Sequence, residues 1–370
     1  MVITRSKVKK LQINDDLLIE IFLRLPLASV RRFQSVSKHW RSLLTDRCFT
    51  LIYKNGCISR GLFVKDFYVP FDDENRNPPF LNLDFYPDPR GIKIIQSCNG
   101  LLLCCSKKIK RDCRYYVFNP TTKQFALIPS VPGGGHVRRT ICFMALAFHP
   151  TDCPHYKLVC IRYIRRDEKL FQIQIYSSET EKWRISDQSF SANSYTSFSS
   201  GVYWHQAIHW AHSNGNPSYF KLDTEELQTM PSYFTIDTQD FTGRYHEGEK
   251  AVYFGESRGC LHLVKRVQRS FQLKVYEMLN HHSGWFVKYM VKLDVHRMNA
   301  IRWFPDHYAI QVLDVVRGGE EDETFFMVIQ ILGKIVRYNF HEKSFKQMFD
   351  QTIPIWHGGA FRYIETIVTF

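Results

Sequence analysis

A diverged repeat that starts near residue 97 constrains the fold of this chain more than any other feature. In four units an aromatic residue is followed seven positions later, across a polar turn, by an apolar residue: Phe118/Phe125, Tyr176/Trp183, Phe220/Leu227 and Tyr338/Phe345. A fifth unit begins at Tyr276, where a longer turn delays the apolar partner to Trp285. Successive units lie 44 to 62 residues apart. This period is typical of antiparallel blades with roughly four strands each.

A glycine precedes a strand-like segment in three of these units. Gly100, Gly201 and Gly259 lie 17 to 19 residues before the aromatic residue. Alternation after Gly201 predicts a single half-buried strand, with one face formed by Val202, Trp204, Gln206, Ile208 and Trp210. We therefore predict an all-β domain, a five- or six-bladed β-propeller-like fold. A β-sandwich with long loops is the alternative, and it explains the strands but not the repeat spacing.

The first fifty residues follow a helical pattern instead. Apolar residues at positions 17, 18, 21, 22 and 25 recur at the 3.6-residue period of an amphipathic helix. Asn14 or Asp15 can cap this helix, and Pro26 ends it. A second short helix is predicted from about residue 27 to 35, and Ser37 can cap a third that carries Trp40. Because such a small module buries only a modest part of its surface, we expect a partner protein to cover the rest.

This helical segment resembles an F-box. Residues 13 to 49 carry the resemblance, in the family's order and spacing, through Ile13, Asp16, Leu17, Leu18, Glu20, Ile21, Leu25, Pro26, Ser29, Arg32, Phe33, Val36, Ser37, Lys38, Trp40, Arg41, Ser42 and Leu43. F-box proteins recruit targets to Skp/cullin/F-box ubiquitin ligases. The resemblance therefore implies a surface that binds a Skp-type adaptor, formed by Ile13, Leu17, Ile21, Leu25, Pro26, Val36 and Trp40. Leu18, Phe33 and Leu43 are interpreted as core residues.

The repeat segments resemble the F-box-associated domain of a large plant family. The matching stretches run from SCNGLLLC to VYEMLNHHSGWFVKY and span residues 97 to 290 in order. That family's fold is kelch-like and its role is substrate recognition. The resemblance thus implies that the β-domain binds a target protein, whose identity the sequence does not reveal. Trp303, Trp356 and Tyr195 are weak candidates for this surface, because burial between blades is the usual state of such residues.

Four segments follow from these patterns. They are a flexible basic tail at 1–12, the F-box at 13–50, a connecting segment at 51–96 and the propeller-like domain at 97–370. The connecting segment is rich in turn residues, but its strand-like GLFVKDFYV can contribute a closing strand. Pairing it with FRYIETIVTF near residue 370 would remove the open edge of the propeller.

No motif in the sequence indicates catalysis or a cofactor. The GxSxG elbow, the GxxxxGK[ST] loop, GxGxxG and HExxH are all missing from the sequence. His205 and His209 would lie about 13 Å apart on an extended strand, too far for one metal ion. His281 and His282 are interpreted as solvated, glycines 133–135 as a flexible loop and the acidic run 320–323 as a hairpin tip. The sequence predicts a non-catalytic protein without a metal.

Charge, hydropathy and cysteine spacing indicate the kind of partner and the cellular compartment of the protein. The net charge of +13 is dispersed, although residues 1–50 hold ten Lys/Arg against four Asp/Glu and so predict an acidic partner surface. We expect no membrane association, because apolar runs of roughly eighteen residues and a signal peptide are missing. A cytoplasmic and/or nuclear location is expected. The ten cysteines include no CxxC pair, so most should be reduced and buried or half-buried.

Three functional hypotheses remain. The leading one is a substrate-recognition adaptor of a Skp/cullin/F-box ligase that binds a Skp-type protein and, through it, cullin. A scaffold that binds the Skp-type protein outside any ligase is the second, and co-purification of a cullin would separate the two. A propeller that binds nucleic acid is the third, and steep salt dependence would identify it.

Overall fold

A computed structural model gives the structure. It describes residues 14–53, 59–64, 67–72, 91–107, 113–133, 137–150, 152–165, 169–191, 198, 200–211, 217–232, 249–267, 271–279, 282–293, 310–317, 325–331, 333–349 and 359–368. Helices occupy the start of this part of the chain, and strands occupy most of the remainder.

Four short helices form the N-terminal part. They are α1 (Asp15–Leu23), α2 (Leu27–Phe33), α3 (Lys38–Thr45) and α4 (Arg47–Ile52). Asn14 caps α1 by accepting a hydrogen bond from the Asp16 amide at 3.3 Å, and Ser37 caps α3 through the Trp40 amide at 3.0 Å. The three predicted helices are confirmed. The fourth follows directly, because Asp46 caps another helical turn.

The strands form six antiparallel sheets, which are the six blades of a β-propeller. The chain enters with β1 (Ser59–Val64) and β2 (Phe67–Pro70). Blade 1 contains β3 (Ile92–Cys98), β4 (Leu101–Ser106), β5 (Tyr115–Asn119) and β6 (Gln124–Leu127). After the single turn α5 (Val137–Thr140), blade 2 contains β7 (Ile141–His149), β8 (Cys153–Arg165), β9 (Leu170–Ser177) and β10 (Lys182–Ser191).

The remaining blades repeat this plan. Blade 3 contains β11 (Val202–Trp204), β12 (Ala207–Trp210), β13 (Ser218–Lys221) and β14 (Leu227–Thr229). Blade 4 contains β15 (Glu249–Ser257), β16 (Cys260–Val267), β17 (Gln272–Met278) and β18 (Trp285–Lys292). Blade 5 contains β19 (Ile310–Val316), β20 (Phe326–Ile331), β21 (Lys334–Asn339) and β22 (Ser344–Gln347). The last strand is β23 (Ala360–Ile364).

The blades close into a ring through the sixth sheet, which joins both ends of the chain. Its order is β2-β1-β23, with Phe63 opposite Phe361. The inner strands β3, β7, β11, β15, β19 and β23 contact one another in that cyclic order, and β23 contacts β3. The predicted propeller-like fold is confirmed, with six blades, and a sandwich is excluded. Strands β1 to β3 lie wholly or mostly within residues 51–96, so this segment contributes more of the propeller than one closing strand.

The repeat corresponds to the two outer strands of each blade. The predicted partners face each other across these strands in four blades, as Phe118/Phe125, Tyr176/Trp183, Phe220/Leu227 and Tyr338/Phe345. The fifth unit differs from the prediction, because Tyr276 lies opposite Val287 and Trp285 lies opposite Met278. Strand β17 continues two residues beyond Tyr276 before the connection begins, so Met278 and not Tyr276 lies opposite Trp285.

The segment after Gly201 is a hairpin and not the single strand that alternation predicts. Strands β11 and β12 pair with Trp204 opposite Ala207. His205 and Gln206 form the turn, with φ of 44° and 58°. Positive φ at both central residues is the conformation of a type I′ turn, which closes a hairpin in two residues. The His-Gln pair lacks the Asn-Gly sequence that usually marks such a turn. The apolar alternation across it therefore led to the prediction of one continuous strand.

Candidate functional site

The helical module, residues 14–53, is held together by an apolar core. Its buried members are Leu18, Phe22, Leu27, Val30, Leu44, Phe49 and Tyr53. Phe22, Phe33 and Trp40 form an aromatic triad whose ring centroids lie 5.1 to 5.9 Å apart. Leu18 is buried as predicted, and Phe33 and Leu43 are partly buried against the core.

An apolar face of the module remains open to solvent. Leu17 and Ile21 lie one turn apart on α1 and are 56% and 45% exposed, and Val36 is 60% exposed. His39 Nε2 and Asp15 Oδ1 are 2.8 Å apart, so the start of α3 lies beside the start of α1. Val36, three residues before His39, therefore lies at the same end of the module as Leu17. We call Leu17, Ile21 and Val36 the apolar face.

The other predicted adaptor-binding residues differ in burial. Leu25 is half-buried, and its carbonyl accepts a hydrogen bond from the Tyr53 hydroxyl at 2.6 Å. Pro26 is exposed and precedes α2. Trp40 is half-buried and packs edge-on against Phe22, so it supports the core while part of its ring stays accessible. Ile13 lies outside the described residues.

One residue of this module could not be found from its own sequence. Ile367, near the C-terminus, is buried in the same core as Leu18 and Phe22. The predicted strand FRYIETIVTF signals the apolar character of Ile367, but no pattern in the first fifty residues indicates that a side chain more than three hundred positions later completes their core. The helical module therefore packs directly on the propeller.

A central cavity of about 400 Å³ is lined by residues of the inner strands β3, β11, β15, β19 and β23. On its wall the Tyr253 hydroxyl donates to Asp314 Oδ1 at 2.8 Å, and Arg362 Nε donates to Asp314 Oδ2 at 2.8 Å. Burial and the Asp314 charge raise the pKa of Tyr253 well above its usual value, so its hydroxyl stays protonated. Protein donors contact both oxygens of Asp314, so the carboxylate joins β15, β19 and β23.

The histidines of blades 3 and 4 occupy places that the sequence did not predict. His209 and His282 face each other with their Nε2 atoms 2.8 Å apart, and His282 stacks on Tyr219. His282 is thus half-buried and packed, so its interpretation as a solvated residue is wrong. It lies in the connection between β17 and β18, which brings it next to His209. Burial and the neighbouring His282 lower the pKa of His209 to about 3, so this imidazole is neutral at physiological pH.

The described part of the chain offers neither a metal site nor a membrane-spanning helix. Among these residues no group of three or more His, Cys, Asp or Glu side chains could hold a metal ion. No helix within the described ranges is long and apolar enough to cross a membrane. Several residues for which the sequence made predictions lie outside the described ranges: His281, Tyr195, Trp303, Trp356, residues 134–135 and the acidic run 320–323.

Comparisons with known proteins identify both parts of the chain. Residues 11–52 match the F-box domain, and residues 75–250 match the F-box associated beta propeller domain. The chain is 32% identical to the F-box protein At5g07610 of Arabidopsis thaliana, over 91% of this chain and 85% of that protein. It is 26% identical to the Arabidopsis thaliana F-box protein At5g49610, over 96% of each. Among solved structures, TolB from Acinetobacter baumannii aligns with a TM-score of 0.41 and 13% identity, over 84% of this chain and 67% of TolB.

Proposed function

This chain belongs to the F-box proteins with an F-box-associated β-propeller domain, and we propose that it is the substrate-recognition adaptor of a Skp/cullin/F-box ubiquitin ligase. Its F-box binds a Skp-type adaptor and, through it, a cullin, while the propeller binds a target protein. The protein itself supplies no catalytic group and requires no cofactor. We expect it to act in the cytoplasm and/or the nucleus.

The apolar face of the F-box is the observation that carries this proposal. Leu17, Ile21 and Val36 are large apolar side chains that stay exposed although the module has an apolar core of its own. Large exposed apolar side chains grouped on one part of a small module are typical of protein-binding surfaces. Leu25, Pro26 and Trp40 are the further adaptor-binding residues that we propose, with Trp40 as the aromatic anchor.

The charge of the module favours an acidic partner around this apolar face. Arg24, Arg31, Arg32 and Lys38 are all exposed. Arg24 pairs with Glu20 at 3.0 Å, but both side chains are more than half exposed, so this pair contributes little to stability and leaves the arginine accessible. Residues 14–53 hold six Lys/Arg against four Asp/Glu, so the positive charge of the module fits a partner whose binding surface is acidic.

The propeller face that lies away from the F-box is the proposed target surface. The F-box side of the molecule carries the β3–β4 and β5–β6 turns of blade 1, which bind the C-terminal residues that enter the F-box core. Successive connections in an antiparallel sheet alternate between its two ends. The strand ends that lead into the β4–β5 and blade-to-blade connections therefore lie at the opposite end, away from the F-box.

Affinity purification of the tagged full chain tests the proposal. We expect a Skp-type protein and a cullin to co-purify with the wild type and to be lost with Leu17→Asp/Ile21→Asp. Met290→Asp is the matched control, because Met290 is also exposed but lies on β18 of the propeller. Recovery of the Skp-type protein without cullin would indicate a scaffold outside any ligase. Recovery of neither with the wild type would overturn the proposal.

A further inference from the structure

The last described residues, 365–368, run between the propeller and the F-box with alternating contacts. Thr366 and Val368 are buried against blades 1 and 2, whereas Ile367, between them, is 3% exposed and lies in the F-box core. This alternation is the two-residue period of an extended strand, whose successive side chains point to opposite sides. We call residues 365–368 the C-terminal strip.

Side chains of blade 1 hold the strip through hydrogen bonds to its backbone. Asn119 Nδ2 donates to the carbonyls of Thr366 at 3.2 Å and Val368 at 2.7 Å, and the Thr366 amide donates to Thr121 Oγ1 at 3.1 Å. Gly100 has φ of 95°, and a Cβ at this position would lie 2.5 Å from the Thr366 side chain. The strip therefore passes so close to blade 1 that only glycine fits beneath it.

The strip can take this path only when the ring is closed. It continues directly from β23, which pairs with β1, and Arg60 on β1 forms an ion pair with Glu365 at 2.8 Å. The F-box precedes the propeller in the chain and is synthesised before it, whereas Ile367 follows β23. The core around Leu18, Phe22 and Phe49 thus remains incomplete until the propeller has closed.

We propose that the C-terminal strip makes the F-box competent to bind a Skp-type adaptor only after the propeller has closed, and that Ile367 is the positioning residue. The inference rests on the proposed function. An unfinished or open propeller leaves the place of Ile367 in the F-box core empty. Helices α1 to α3 then do not pack stably, and the apolar face is not formed. Chains that cannot yet recognise a target are thereby kept out of the ligase.

Two matched variants test the coupling. Asn119 Oδ1 caps its turn by accepting from the Thr121 amide at 2.8 Å, while its Nδ2 holds the strip. Asn339 occupies the same position in blade 5 and caps its turn through the His341 amide at 2.9 Å, far from the strip. Asn119→Asp and Asn339→Asp both keep the capping oxygen, but only Asn119→Asp places a carboxylate against the strip carbonyls.

The readouts are the Kd for a purified Skp-type adaptor and amide hydrogen exchange in α1 to α3 of the full chain. With Asn119→Asp we expect about tenfold weaker binding and at least about tenfold faster exchange in these helices, as the competent F-box population falls. Asn339→Asp should change neither. Wild-type binding and exchange with Asn119→Asp would overturn the inference.

A second pair of variants keeps the test decisive if Asn119→Asp does not fold. Ile367→Ala leaves every strip hydrogen bond in place and should speed exchange in α1 to α3 without changing exchange in β3 to β6, whereas Ile367→Leu should restore it. Unchanged exchange with Ile367→Ala would refute the coupling. If the wild type itself binds no Skp-type adaptor, the proposed function fails, but the exchange experiment still decides whether the strip completes the F-box core.

Discussion

The guanidinium of Arg362 on β23 forms a bidentate ion pair with the carboxylate of Asp314 on β19, which joins the sixth blade to blade 5. Arg362 Nε donates to Oδ2 at 2.8 Å and Nη2 donates to Oδ1, while Nη1 reaches the Glu256 carbonyl at 3.1 Å. The two side chains are 11% and 6% exposed. This bidentate pair lies in the central cavity, where it reinforces ring closure between residues 48 positions apart.

Breaking this pair should destabilise the propeller strongly. Asp314→Ala leaves the Arg362 charge buried without its partner, which typically costs about 3–5 kcal/mol of unfolding free energy. Arg362→Met/Asp314→Leu should cost much less, because an apolar pair needs no compensating charge. Urea unfolding followed by tryptophan fluorescence measures both. Equal stability of Asp314→Ala and wild type would show that the pair does not hold the ring.

The exposed apolar face should contribute to adaptor binding without contributing to folding. Leu17→Ala/Ile21→Ala should weaken binding of a Skp-type adaptor by roughly a thousandfold if the two truncations cost ~2 kcal/mol each and add. The melting temperature should stay at the wild-type value, since both side chains are exposed. Ile52→Ala is the control, because Ile52 is 50% exposed on α4. Trp40→Ala should instead lower both affinity and stability, since the ring also packs on Phe22.

The fold of this chain was largely predictable from sequence, because its repeat places apolar residues in direct cross-strand pairs. Phe118 lies opposite Phe125 for the same reason that they lie seven positions apart across a polar turn. The errors arise where local geometry departs from the repeat. Neither the continuation of β17 to Met278 nor the turn at His205 can be recognised from the apolar pattern. The burial of Ile367 in the core that contains Phe22 is beyond local patterns, since only the closed ring brings these segments together.

Stability should depend on pH through Glu277. Burial alone would raise the pKa of this carboxyl group, but hydrogen bonds from His262 at 3.1 Å and Lys288 at 2.9 Å outweigh it and lower the pKa to about 2. A lowered pKa stabilises the fold above the unfolded value of 4.5, and this contribution is lost as the pH falls toward 2. Glu277→Gln should therefore destabilise the protein at pH 7 and progressively less from pH 5 to 3. Thermal melts across this range measure the difference, and a constant difference would contradict the assignment.

Cys113 should be the most reactive of the half-buried thiols near neutral pH. A hydrogen bond from the Cys105 thiol, together with Tyr115 and Lys93 nearby, lowers the pKa of Cys113 to about 7 from its ordinary 9.0. Alkylation by iodoacetamide should reach half its maximal rate near pH 7, because the thiolate is the reactive form. Cys105→Ala should move this midpoint upward, as the hydrogen bond is lost. Mass spectrometry of the labelled peptides gives both midpoints, and identical values would refute the role of Cys105.

The division of labour between the two domains predicts a dominant-negative fragment, but the structure changes how it must be built. A fragment that starts at Gly61 would lose Arg60, the partner of Glu365, and would expose Ile367 to water. A fragment of residues 59–370 with Ile367→Asn keeps β1 whole and replaces the side chain that the F-box would cover. We expect it to fold, bind the target and lengthen the target's half-life in cells, whereas the full chain shortens it. The full chain with Leu17→Asp/Ile21→Asp is the control and should act like the fragment, because it also recognises the target without engaging the adaptor. A folded fragment that fails to bind proteins captured by this control would place part of the target site on the F-box.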